Sequence, residues 1–88
     1  MLYGILPIKI LVDYKLSPSE KILYSIILGI MKKEKRVCRK DIELADLMNG
    51  SVRSIQRWLN SLRKYGYVKT KMIASGTREI FITDKGLF

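Results

Sequence analysis

The stretch NGSVRSIQRWLNSLRKYGYVKT, Asn49 to Thr70, carries two patterns at once. Its apolar residues recur every three or four positions. At about 100° per residue, Ile55, Trp58, Leu59 and Leu62 fall on one side of a helix. On the other side Arg53, Arg57, Asn60 and Lys64 lie within about 60° of one another, with Gln56 beside them. Ser51 is a natural N-cap with Ser54 three residues on, and Gly66 closes the helix because glycine takes the left-handed conformation freely. The reading is a helix over about 52–65 with one face for a core and one basic face. Any surface helix shows such a face, so its meaning depends on its surroundings.

Upstream, Asn49-Gly50 stops a preceding helix over about 40–48, in which Leu44, Ala45 and Met48 share one face. Before it, RVC suits a very short strand and KKEKR a charged turn. SPSE is a helix start in full. Ser17 caps, Pro18 takes the first helical position and Glu20 returns the hydrogen bond. The helix it opens, over about 18–33, is apolar around most of its circumference, with only Lys21, Ser25, Gly29 and Lys32 as a polar stripe. Such a helix is either central in its domain or has one face on the core and another on a partner, a second copy of the chain included. Ahead of it Ile8, Ile10 and Val12 alternate with Lys9, Leu11 and Asp13 after Pro7, which predicts a short N-terminal strand.

Downstream, YGYVKTKMI and TREIFIT have period two and flank Ala74-Ser75-Gly76, a hairpin over about 67–83. Lys69 and Lys71 share one face of its first strand and Val68 and Met72 the other. The whole predicts an α+β fold, mainly α with a small β-sheet, as a single domain over residues 1–88 with no linker or internal repeat. Three helices and a C-terminal hairpin make it up, with the short N-terminal strand.

A helix, a tight turn and a Ser-capped second helix form a helix-turn-helix, whose second helix lies in the major groove of DNA; a hairpin directly after it makes a wing. The residue types agree. Arg pairs bidentately with guanine and Gln with adenine, and Lys and Asn reach phosphates or base edges. Arg53 and Arg57, one turn apart, suit neighbouring positions along one groove, while Lys69, Lys71 and Arg78 flank the hairpin turn where a wing meets a backbone or a minor groove. The candidate DNA-binding set is Ser51, Arg53, Ser54, Gln56, Arg57, Asn60, Lys64, Lys69, Lys71 and Arg78.

Taken together, LSPSEKILYSIIL, VC, IELADLMNGSVRSIQRWLNSLRKYGYVKT and GTREIFIT resemble the winged helix-turn-helix domains of replication initiators and related proteins of plasmids, phages and other mobile elements, over residues 16–83. The resemblance implies that Ser51 to Leu62 is the recognition helix and that Gly66 begins the path to the wing. It also implies duplex DNA as the partner and a role in replication or its control. A homodimer or a replication-protein partner would use the apolar surface of the first long helix and the N-terminal segment. Two departures stand out. Arg39-Lys40-Asp41 replaces the usual small or hydroxyl cap, which leaves the capping to Asp41 or a water, and the loop from Ala74 to Thr77 is short for reaching into a groove.

Two other readings stay open. Small winged-helix proteins of mobile elements also hold single-stranded DNA as accessory subunits of a polymerase or helicase, stacking bases on aromatics among basic residues. Trp58, Tyr65, Tyr67 and Phe81 are the candidates, although Trp58 lies with the apolar side of its helix and the tyrosines flank a helix end. The other is a protein-interaction module, motivated by the apolar excess from Ile22 to Met31.

Composition narrows the rest. Seventeen Lys and Arg against eight Asp and Glu give a net charge of +9, which favours an anionic partner. With no His and one Cys, disulfides within the chain, Cys/His zinc sites and His-based catalysis are excluded, and a reducing cytoplasm fits. Cys38 beside Val37 reads as a small core residue. No paired carboxylate motif, phosphate-binding glycine loop or activated nucleophile is present, so no enzyme activity, metal or cofactor is expected. The Ile22 to Met31 run is far shorter than the roughly twenty residues that cross a bilayer, and MLYGILPIKILVDY lacks the basic start of an export signal. KGLF ends on two apolar residues, which leaves open whether the chain is whole or a piece of a longer one.

Overall fold

Ser17 begins the longest helix as its sequence prescribes. Its hydroxyl accepts from the Glu20 N–H at 3.3 Å while the Glu20 carboxylate accepts from the Ser17 N–H at 3.0 Å. The structure, a computed structural model, describes residues 8–83; residues 1–7 and 84–88, the terminal KGLF among them, lie outside that range. Its elements are α1 (Ile8–Val12), α2 (Pro18–Glu34), β1 (Val37–Lys40), α3 (Asp41–Met48), α4 (Val52–Lys64), β2 (Val68–Ala74) and β3 (Thr77–Ile82).

The expected N-terminal strand is a short helix, α1. Alternation over five residues is too little to select period two, and propensity for a strand needs a sheet edge to express it. Here only Ile10 is buried, with Ile8 and Val12 largely exposed. The turn is closed at its end instead, where the Lys21 ammonium donates to the Leu11 carbonyl at 2.7 Å.

α2 is the central helix of the fold. Leu23, Tyr24, Ile26, Ile27, Leu28 and Ile30 are buried, so most of its apolar circumference is core and only Ile22 among the larger aliphatics stands clear. The helix runs one residue past the lysine pair and ends at Lys35, whose φ of 69° is left-handed and whose N–H donates to the Met31 carbonyl.

The sheet has strand order β1-β3-β2, antiparallel throughout. Val37 faces Ile80 and Val68 faces Ile82, which places Val37, Val68 and Ile80 on the inner face against the helices. Alternation then turns Cys38 outward opposite Glu79, half-buried, so it is not the core residue its apolar neighbour suggests. The hairpin turns through Ser75-Gly76, with Gly76 at φ 75°, and an irregularity between Met72 and Ala74 adds an unpaired residue to β2.

At the start of α3 neither Asp41 nor a hydroxyl caps. Lys40 occupies the N-cap and has no acceptor to offer the first turn, while its own N–H donates to Glu43 at 2.9 Å, half of a capping box. Asp41, one position inside, is turned to Arg78.

Candidate nucleic-acid interface

α3 and α4 are joined by Asn49, Gly50 and Ser51. Asn49 takes the left-handed conformation at φ 54°, and the Gly50 N–H donates back to the Ala45 carbonyl at 2.9 Å, which ends α3 within one residue. Ser51 then caps α4, its hydroxyl accepting from the Ser54 N–H at 3.1 Å and meeting the Ser54 hydroxyl at the same distance. Ile55, Leu59 and Leu62 are fully buried, with Trp58 packed partly beside them. That anchors one side of α4 and leaves Arg53, Gln56, Arg57, Asn60 and Lys64 exposed on the other. The helix ends where Gly66, at φ 83°, lets the Tyr67 N–H return to the Leu62 carbonyl at 2.9 Å.

The arginines divide into two groups of three. Arg36 forks onto Glu79 at 3.0 and 2.9 Å, Arg39 meets Glu34 at 2.6 Å, and Arg78 lies on Asp41 at 2.9 and 3.0 Å. Hydrogen bonding to these arginines holds Glu34 and Glu79 below the usual carboxylate range. The other three, Arg53, Arg57 and Arg63, all belong to α4, and none meets a carboxylate among the described residues. Their charge is therefore available to an outside anion.

Arg78, grouped by sequence with the wing cations, is the second residue of β3, beside the hairpin turn, but its side chain is mostly covered. Its carboxylate partner also accepts from the Gln56 amide at 3.4 Å. Asp41 thus ties α3, α4 and β3 at one point. Lys69 and Lys71 share the outer face of β2, Lys71 opposite Glu79. Arg63, absent from the sequence-derived set, lines an open groove between α4 and β2 with Asn60, Lys64, Val68, Lys69 and Thr70, and donates to Asn60 at 3.3 Å. The signal for it was its place three residues after Asn60, on the same flank as Gln56.

Among the described residues no helix is long and apolar enough to cross a membrane, and no cluster of His, Cys, Asp or Glu is placed to hold a metal. A family model described as a helix-turn-helix domain matches residues 14–68, more than half the chain. The match spans α2, β1, α3 and α4 and stops at the first residue of β2. No curated protein and no solved structure matches the chain.

Proposed function

The chain belongs to this helix-turn-helix family, and from that premise we propose that it is a non-enzymatic, sequence-directed binder of duplex DNA. The observation that carries the reading is the position of the three arginines that meet no carboxylate among the described residues, all on α4, the helix that a helix-turn-helix places in the major groove. Arg53, Gln56 and Arg57 lie in the N-terminal half of α4, where base edges are reached. Ser51 and Ser54 stand at the helix start, and Asn60, Arg63 and Lys64 follow toward its end, placed for phosphates. Lys69 and Lys71 extend the basic surface along the wing, and Arg78 serves by holding the wing to Asp41.

The test is selection of a preferred duplex from a random pool, followed by Arg53→Ala and Arg57→Ala. Each is expected to weaken the selected duplex by about fivefold to a hundredfold, as loss of a bidentate base contact of about 1–3 kcal/mol implies, and to weaken random duplex much less. Equal losses on both would make them phosphate contacts only.

The biological setting in this reading is replication or its control on a mobile genetic element, in the cytoplasm, supported by the resemblance of residues 16–83 to replication initiators and related proteins of mobile elements. The selected sequence is then expected near the replication origin of the element that carries the gene. A site found only at promoters would make the protein a transcriptional regulator instead.

A further inference from the structure

The hairpin has a second face, turned away from the helices, of which the duplex reading uses only Lys69 and Lys71. Ile80 is buried, so its neighbours Glu79 and Phe81 point outward, and Phe81 keeps 39% of its surface exposed. Its direct cross-strand neighbour is Lys69, and Lys71 stands opposite Glu79 one pair further along. On the other side Arg36, next to the buried Val37 that faces Ile80, lays its guanidinium on Glu79. The exposed ring thus has Lys69 beside it, with Lys71 and Arg36 on the neighbouring Glu79, the one carboxylate of this face among the described residues and already held by Arg36. Lys69 also lines the groove between α4 and β2, with Arg63 and Lys64 further along it. A cationic path therefore leads from the end of α4, past the outer edge of the sheet, to the ring.

We propose that this groove and the Phe81 face bind a single-stranded nucleic-acid segment, with phosphates on Arg63, Lys64 and Lys69 and an unpaired base stacked on Phe81. A duplex buries the faces of its bases in its own stack, whereas a single strand offers phosphates and open π-faces in alternation. An acidic peptide would satisfy the lysines and leave the ring without a flat partner. The proposal rests on the basic surface near α4 but not on its major-groove contacts, so the two can fail separately. The molecule would then suit a site where duplex gives way to a single strand.

The test measures affinity of the full chain for a short oligothymidine and for a duplex of matched length at two salt concentrations. Phe81→Leu and Phe81→Tyr are compared with Arg57→Ala, and thermal melting confirms that each variant folds. Phe81→Leu, which keeps apolar bulk but loses the ring, is expected to weaken the oligothymidine about fivefold or more. It should leave the duplex unchanged, and Phe81→Tyr should retain single-strand affinity. Arg57→Ala should weaken the duplex and spare the oligothymidine. No oligothymidine binding by the unaltered chain, equal affinity of Phe81→Leu and the parent, or an equal loss on both substrates would overturn the proposal. Loss by Phe81→Leu on the single strand with no effect of Arg57→Ala on the duplex would sustain it and count against major-groove reading by α4.

Discussion

Tyr24 and Tyr67 meet edge to face with ring centroids 6.2 Å apart, and their hydroxyls have opposite fates. Tyr67 donates to the Asp13 carboxylate, which ties the segment ahead of α2 to the start of the hairpin. Burial and that hydrogen bond push its pKa up to about 12. The folded state therefore holds the phenolic proton more firmly than the unfolded chain does. Its contribution to stability is complete below about pH 10 and is lost as pH rises through about 12. Tyr67→Phe should be less stable near neutrality by about 1–3 kcal/mol, with the gap to the parent narrowing between those values in denaturant melts. Tyr24 is fully buried, and its hydroxyl has no hydrogen-bond partner among the described residues; burial raises its pKa. Tyr24→Phe should accordingly be neutral or stabilising by about 1 kcal/mol in the same melts, since it removes an unsatisfied donor and keeps the ring. A clear loss of stability would show that the hydroxyl has a role the packing does not reveal.

At the scale of elements, α4 depends on its two ends. Ser51→Ala removes the acceptor for the Ser54 N–H and should cost about 1 kcal/mol by thermal melting. Gly66→Ala forces a side chain to φ 83° and should cost about 1–2 kcal/mol. These ends were legible in the sequence, because Ser-x-x-Ser and a glycine after a periodic run act locally. So were the SPSE start of α2 and the period-two hairpin. What sequence could not decide was set by distant contacts. Five residues with alternating apolar character became α1, because the three strands of the sheet form without them. The cap of α3 fell to Lys40 because Asp41 is drawn to Arg78, a residue 37 positions away.

Over the whole molecule the same limit governs charge. A net charge of +9 names the class of partner, and the basic face of α4 was readable from its pitch, but which cations are available was not. Arg36 is neutralised by Glu79 across 43 positions and Arg78 by Asp41, pairings that no local window contains. The structure therefore separates cations that hold the fold from those that face outward, and binding should resolve the two sets. Duplex affinity is expected to fall steeply with salt, since each neutralised phosphate contributes a slope of about −0.9 in log K against log salt. Lys64→Ala, at the exposed end of α4, should reduce that slope by nearly one. Arg39→Ala removes the same formal charge, but from a guanidinium 2.6 Å from Glu34, and it frees that carboxylate. Its slope should match that of the parent, with any loss of affinity uniform across salt concentrations. Equal reductions for the two variants would mean that DNA senses the total charge of the molecule, and that the basic face of α4 has no special part in the contact.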